Sequence, residues 1–330
     1  MGRLIDGHDV VMFDLDGVVY LGPVAVPGAV EGIKALQDAG LRAVYVTNNA
    51  ARPVQAIADQ IAAMGFHAEV NDLVTSAQAA VGVMRLELPA GAKVLVAGTR
   101  NLVDHVEEAG FVAVFSAKDA PDAVVQGYDP QMSWPVLDEA AFAVQNGARW
   151  YACNADSTRP TERGLVPGAG VAVYAVQVTT RATPIVTGKP FAPLMEEAIR
   201  RTRARNPLFI GDRLDTDIAG ASAIGMASCL VFTGVHGKHD LVAAAPGFRP
   251  TAIAADIPAL LRPARVAHVD AEGVRCGAAY VTAPRGVARI DGDLSTREAQ
   301  LDALWALAQL AWAGRASNYG TALGDLNAVH

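Results

Sequence analysis

The chain has 330 residues, more than a single hydrophobic core usually serves, so two or three domains are expected. Its 52% hydrophobic content excludes a disordered chain, and a formal net charge of -7 argues against an electrostatic grip on nucleic acid or on an anionic membrane. A small soluble substrate and a cytoplasmic setting are the expectations left. Cys153, Cys229 and Cys276 form neither a C-x-x-C pair nor an even set, the N-terminus has no apolar signal core, and no apolar run reaches the roughly 18–20 residues that span a bilayer.

The first predicted element is an apolar strand, Val10-Val11-Met12-Phe13, which runs into Asp14-Leu15-Asp16-Gly17-Val18. Residues two apart on extended chain project to the same side, and ligands of open α/β sheets bind beyond the carboxyl ends of the strands. Asp14 and Asp16 are therefore placed to hold a divalent cation, attack an electrophile or shuttle a proton. An ordinary acidic turn is the competing reading. Next comes a helix with Val30, Ile33 and Leu36 on one face, ending before Gly40, then a strand over Leu41 to Val46 that delivers Thr47-Asn48-Asn49. Pro53 opens a second helix, with Val54, Ile57, Ile61 and Met64 on one side. This alternation is βαβ grammar.

A second α/β series runs from 76 to 182, with strands at Lys93 to Ala97, Ala123 to Gln126 and Trp150 to Cys153. It reads as an insertion, because Ile185-Val186-Thr187-Gly188-Lys189-Pro190 and Leu208-Phe209-Ile210-Gly211-Asp212 resume the strand-to-polar-tip pattern of the first region. Strands at 227–232 and 251–254 and a short helix to about 261 would close the first sheet. The expected division is thus a core of residues 1–75 and 183–262, an inserted domain of 76–182, and an appendage of 263–330. The appendage contains short β-like runs and an apolar helix over 296–313, with Leu301, Leu304, Trp305, Ala308 and Leu310. That apolar face needs a cover, either this chain's own core or a second subunit in a homodimer formed through the inserted domain or the C-terminal segment. A fragment of an acetyltransferase-like fold is one reading of the appendage, but no Q/R-x-x-G-x-G/A loop accompanies it. Trp134 and Trp150 are expected in the core of the insertion, and His268 and His330 lack metal-ligand spacing.

The polar groups at these tips have types that fit one job. Phosphoryl transfer needs a nucleophile, a cation to neutralise oxygens, donors to the phosphoryl oxygens and a proton source for the leaving group. Asp14 suits the nucleophile, giving an aspartyl-phosphate, and Asp16 suits the proton donor and later the base for water. Thr47 offers a hydroxyl and Asn48 an amide or backbone donor. Lys189 offers a cation beside Pro190, read as the first residue of a helix whose N-terminus also favours anions. Asp212 is a hard oxygen ligand suited to Mg²⁺. Asp215 and Asp217 also fit the plainer role of first-turn helix acids.

Asp14-Leu15-Asp16-Gly17-Val18, Thr47-Asn48-Asn49, Thr187-Gly188-Lys189-Pro190 and Gly211-Asp212-Arg213-Leu214-Asp215-Thr216-Asp217 resemble the four ordered motifs of the haloacid dehalogenase superfamily. The long α/β insertion between the second and third motifs resembles its p-nitrophenyl-phosphatase-like branch, over roughly residues 5–262. The resemblance implies an α/β fold: a Rossmann-like parallel-sheet core, a large inserted α/β cap and, outside the resemblance, a small α+β appendage. It implies a Mg²⁺-dependent phosphomonoesterase acting on a small phosphate ester. The Asp14 carboxylate, the Asp16 carbonyl and Asp212 would be ligands, and Asp217 would lie in the outer shell. It also moves the substrate question to a cap loop, for which residues 153–170 are the match; Asp156 and Arg159, with Glu162 as an accessory, are the candidate substrate contacts, with Asn48 and Asn49 on the motif side. Glycerol 3-phosphate is the expected substrate, because an acidic, alanine-rich chain with a C-terminal extension resembles the glycerol-3-phosphate phosphatases of this branch. Phosphoglycolate and pyridoxal phosphate are the alternatives. A phosphotransferase or mutase on the same core, and a phosphorylatable receiver or inactive binding module, are the rival classes.

Overall fold

The computed structural model describes residues 2–161 and 163–329, so Glu162 and His330 lie outside the described residues. Two compact units make up the chain: Met1–Val44 with Met64–Phe66 and Ala204–His330, and Tyr45–Ala63 with His67–Arg203. No helix among the described residues is long and apolar enough to cross a membrane.

In the first unit four parallel strands stand in the order Ala252–Ala254, Ala227–Val231, Pro207–Gly211, Val10–Phe13, and the opening residues of Arg42–Thr47 follow next to Val10–Phe13. Val10–Phe13 is buried at every position, as a central parallel strand covered on both faces must be. Helix Ala29–Asp38 buries Ala29, Gly32, Ile33 and Leu36, one helical stripe. Segments far apart in sequence pair here: Val10 stands opposite Pro207 and Phe13 opposite Ile210. Asp9 sets the start of that pairing, since its carboxylate accepts the backbone N–H groups of Arg205 at 2.7 Å and Asn206 at 3.0 Å.

The C-terminal part of this unit is a four-stranded antiparallel sheet in the order His268–Val269, Gly273–Cys276, Ala279–Thr282, Arg289–Asp291. Helix Arg297–Trp312 packs on Gly273–Cys276, Ala279–Thr282 and helix Lys238–Val242. Its Leu301, Leu304, Trp305, Leu307 and Leu310 are buried. The cover that the sequence left open between this chain and a second subunit is, for this helix, the chain itself. Thr296 caps it by accepting the Ala299 N–H at 3.1 Å. Arg265, 9% exposed, pairs with Glu298 and with Asp302 at 2.9 Å, joining the helix to the segment that follows the parallel sheet.

The second unit carries the end of Arg42–Thr47, paired with Leu73–Thr75, and a separate sheet of five parallel strands. Their order is Ile185–Val186, Arg149–Ala152, Ala123–Gln126, Lys93–Ala97, Val112–Val114. Alternate strand residues face opposite sides. Val94, Val96, Val125 and Tyr151 pack against Ala77, Val81 and Met84 of helix Ser76–Glu87 and against Leu102 and Val106. Leu95, Val124 and Trp150 pack against Ala140, Ala141, Val173 and Val176.

Two local expectations change. Ile185–Val186 does not rejoin the first sheet: it pairs with Tyr151 and Ala152, and the Thr187 N–H continues the ladder to the Ala152 carbonyl at 2.9 Å. Trp134 is 74% exposed rather than in the core. It is the first residue of helix Trp134–Gln145, whose inward stripe is taken by Ala140, Ala141 and Ala143. Trp150 is buried and donates its indole N–H to Gln126 at 2.7 Å.

The Asp9 clasp has a pH signature. Burial alone raises this carboxyl, but the hydrogen bonds from Arg205 and Asn206 outweigh it and hold Asp9 below the ordinary value of 3.8. A depressed folded-state pKa gives stability that is present above the unfolded value and is lost as pH falls through the folded one. Asp9→Asn is therefore expected to flatten the acid limb of a urea-stability profile below about pH 4. A mutant limb as steep as wild type would show that Asp9 does not contribute.

Candidate active site

An acidic cluster lies in the first unit, at the carboxyl ends of Val10–Phe13 and Pro207–Gly211. Asp14, Asp212 and Asp217 bring one carboxylate oxygen each to within 4.8 Å of one another. Asp14 is 8% exposed, and Asp212 and Asp217 are fully buried. The Asp14 N–H binds the Ile210 carbonyl at 2.9 Å, continuing the ladder beyond the strand and fixing where its side chain leaves the sheet. Asp16 is exposed. Its neighbours turn the chain sharply: the Val19 and Tyr20 N–H groups both reach the Leu15 carbonyl, at 2.9 and 3.1 Å.

Asp212 is gripped on several sides. Its Oδ2 accepts the Val235 N–H at 2.7 Å, and its carbonyl accepts the His236 N–H at 3.1 Å. Gly17, at φ 89°, comes so close that a Cβ there would lie 2.4 Å from Asp212 Oδ2, and one at Gly234 would lie 1.9 Å from the same atom. Only glycine permits both the left-handed backbone and that approach. Thr233 donates its hydroxyl to the Gly17 carbonyl at 2.6 Å, tying the two glycine loops together. His236 Nδ1 accepts the Leu214 N–H at 2.7 Å, so that nitrogen carries no proton.

Asp217 follows on a single π-helical turn, Leu214–Ile218, a geometry that often marks functional sites. Its Oδ2 accepts the Arg213 N–H at 3.1 Å. Asp215 takes the plainer of its two readings: it is 49% exposed and pairs with Arg213 at 2.7 Å. Burial pushes its carboxyl up, but the Arg213 hydrogen bond and charge hold it below the ordinary value. A cluster of buried hard oxygen donors around one point is what a Mg²⁺-sized cation requires.

A second polar cluster lies in the second unit. Thr47 ends its strand, is 4% exposed, and its hydroxyl oxygen accepts the Asn49 N–H at 3.1 Å. Asn48 is a hub rather than an outlying donor. Its Oδ1 accepts the Lys189 N–H at 2.8 Å and its Nδ2 donates to the Lys189 carbonyl at 3.1 Å, a two-point amide clasp. The same Nδ2 lies 3.2 and 3.3 Å from the two oxygens of Asp156. The Asn48 carbonyl accepts the Ser76 hydroxyl and the Asn154 amide, at 2.6 and 2.8 Å. Asn49 caps its own loop through Oδ1, which accepts the N–H groups of Ala51 and Arg52.

Lys189 is 3% exposed. The helix beyond it starts later than expected, at Ala192, with Pro193 in its first turn. Pro190 sits instead in a turn that the Phe191 N–H closes on the Gly188 carbonyl at 3.0 Å. Arg159 lies on the hairpin formed by Thr158–Thr161 and Gly164–Pro167, exposed, with its guanidinium 5.0 Å from the centre of the Tyr128 ring. The motif residues therefore gather as Asp14 with Asp212 and Asp217, and as Asn48 with Lys189 and Asp156. The 233–236 loop was missed by sequence reasoning. Its signal was the apolar strand Ala227–Val231 ending on Thr233-Gly234, the same strand-to-polar-tip pattern as elsewhere.

Comparison with known proteins identifies the family. Residues 11–112 match the haloacid dehalogenase-like hydrolase family, and residues 186–260 match a HAD-hydrolase-like family. The chain is 40% identical over 323 residues to a D-glycerol 3-phosphate phosphatase of Mycobacterium tuberculosis, covering 96% of this chain and 90% of that protein. It is 33% identical over 226 residues to a 5′-nucleotidase of Bacillus subtilis, covering 68% and 87%. Among solved structures it resembles a glycerol phosphate phosphatase from Mycobacterium tuberculosis in complex with magnesium. That similarity has a TM-score of 0.89 and 36% identity, over 99% of this chain and 98% of the other. The chain belongs to the haloacid dehalogenase-like hydrolases.

A methyl group at residue 234 tests the grip on Asp212. Gly234→Ala is expected to weaken Mg²⁺ binding by about tenfold or more, the scale on which residues supporting metal ligands act. Gly247→Ala, where a Cβ meets nothing within 4 Å, is the matched control. Isothermal titration with MgCl₂ reads both; equal affinities would mean that Asp212 does not depend on this packing.

Proposed function

We propose that this chain is a Mg²⁺-dependent phosphomonoesterase whose substrate is glycerol 3-phosphate. The observation that carries the reaction is the buried trio Asp14, Asp212 and Asp217 beside the exposed Asp16. The likeness to the glycerol-phosphate enzyme extends through the C-terminal segment, whereas the match to the nucleotidase covers 68% of the chain. That difference favours the polyol ester over a nucleotide.

In this reading the Asp14 carboxylate, the Asp16 carbonyl and Asp212 would hold Mg²⁺, with Asp217 beside them, and the cation would supply positive charge against the phosphoryl oxygens. An Asp14 oxygen attacks phosphorus, and the bond from phosphorus to the glycerol oxygen breaks. Asp16 gives its proton to the departing alkoxide, which leaves as glycerol. Asp16, now a carboxylate, takes a proton from water, whose oxygen attacks the phosphorus of the aspartyl-phosphate. Inorganic phosphate leaves and the Asp14 carboxylate is restored. Burial of Asp14 and exposure of Asp16 suit these roles: a nucleophile held rigidly, and an acid-base group in touch with water.

Thr47 and Lys189 are assigned to the phosphoryl oxygens because a buried hydroxyl and a buried ammonium are strong donors to an anion. Asn48 holds the Lys189 backbone. Residues 76–182 are assigned as the cap of the core formed by 1–75 and 183–262. Within the cap, Asp156 steadies Asn48 and the exposed Arg159 is the candidate reader of the leaving group.

A phosphate-release assay with glycerol 3-phosphate, phosphoglycolate, pyridoxal phosphate and a nucleoside 5′-monophosphate tests the substrate; a flat profile across the four would sink the glycerol ester. Chelation of Mg²⁺ is expected to stop release. Asp16→Ala should keep Mg²⁺ affinity and lose about 10²–10⁴-fold in turnover. Asp14→Asn should lose more than that, and unchanged turnover in either variant would remove its assigned role.

A further inference from the structure

The loop that grips Asp212 is itself held by the C-terminal segment. Thr233, Val235 and His236 contact Gly17, Asp212 and Leu214 as described, and the chain then enters the short helix Lys238–Val242. Five residues of helix have little stability of their own, because nucleation is costly and propagation has no length over which to repay it. This helix packs against Arg297–Trp312. Trp312 donates its indole N–H to the Leu241 carbonyl at 3.1 Å, and Arg249 lies over the Trp312 ring at 5.2 Å. At the other end of the helix, Lys238 Nζ donates to the carbonyl of Leu326 at 2.5 Å.

Leu326 is fully buried, and the residues after it are anchored in turn. Gln300, 4% exposed, donates to Asn327 Oδ1 at 3.1 Å and accepts the Ala328 N–H at 2.7 Å. Hydrogen bonds from helix Arg297–Trp312 thus fix residues 326–328, Lys238 bonds to that segment, and the covalent chain from Lys238 back to Val235 carries the hold to the backbone N–H that binds Asp212. The acceptor carbonyl at Leu326 is a fixed point, and the ammonium reaching it is a strong charge-assisted donor.

We propose that Lys238 is a positioning residue through which the C-terminal segment holds the 233–242 loop, and with it Asp212, in the metal-binding arrangement. The appendage then has a role in the reaction without touching substrate: it sets the affinity for Mg²⁺. This rests on the assignment of Asp212 as a Mg²⁺ ligand in the reading above.

The test compares full-length wild type, Lys238→Met, Lys238→Arg and Trp312→Phe. Met keeps the aliphatic stem without the charge, Arg restores a cation, and Phe keeps a ring without the indole donor. Titration calorimetry with MgCl₂ is expected to give about tenfold weaker binding for Lys238→Met, a smaller loss in the same direction for Trp312→Phe, and recovery in Lys238→Arg. Amide exchange at Val235 should speed up in Lys238→Met, while turnover at saturating Mg²⁺ and the KM for glycerol 3-phosphate stay within about twofold. Mg²⁺ affinity and Val235 exchange equal to wild type in both folded variants would overturn the proposal. If Lys238→Met does not fold, Trp312→Phe decides by the same two readings. Wild type that binds Mg²⁺ but releases no phosphate would defeat the functional reading alone, and the affinity ratio would still judge Lys238.

Discussion

Three carboxylates packed into a buried corner repel one another, and the low dielectric around them strengthens that repulsion. Asp14, Asp212 and Asp217 lie so close that the protein must supply compensating partners and exclude bulk from around them. It does so with backbone groups. The Val235 and Arg213 N–H groups face the carboxylates, while Gly17 and Gly234 let two chain segments approach within contact distance of Asp212. A divalent cation would complete the balance, since hard oxygen donors at this density are the environment it selects. The strand ends, the π-helical turn and the 233–236 loop all follow from the need to hold that corner.

The polar cluster of the second unit solves a different problem with the same economy of side chains. A lysine has four rotatable carbons, so the position of its ammonium depends on how firmly its backbone is held. Here the backbone of Lys189 is clasped at both its N–H and its carbonyl by one amide, that of Asn48. Asp156, on the segment leading into the Arg159 hairpin, touches the same amide. A change in that segment therefore reaches the Lys189 backbone through a single side chain, that of Asn48.

The C-terminal segment is continuous with the first unit rather than appended to it. Its helix buries an apolar stripe on the antiparallel sheet and on Lys238–Val242, and Arg265 ties it down through two acids. Ion pairs of this kind define geometry more than they add stability, because desolvation offsets much of the attraction. What they fix is the relation between the helix and the end of the parallel sheet, where the 233–242 loop begins.

The reaction was legible in the residues themselves. Strand-to-polar-tip patterns at Asp14, Thr47, Lys189 and Asp212 are local: an apolar run needs a buried strand, and a buried strand of a parallel sheet delivers its next residues to one edge. The element boundaries at Val10–Phe13, Lys93–Ala97 and Ala123–Gln126 follow from the same short-range periodicity. Non-local choices were not legible. Which sheet Ile185–Val186 joins, which side Trp134 faces, which backbone Asn48 holds, and what covers helix Arg297–Trp312 all depend on partners distant in sequence. The sequence by itself determined the class of chemistry, because carboxylates, hydroxyls and ammonium groups at strand ends are properties of side-chain type and local spacing. Tertiary structure alone decided how those groups are held, because a hydrogen bond such as Lys238 to Leu326 or Val235 to Asp212 exists only once distant backbone has been brought within 3 Å.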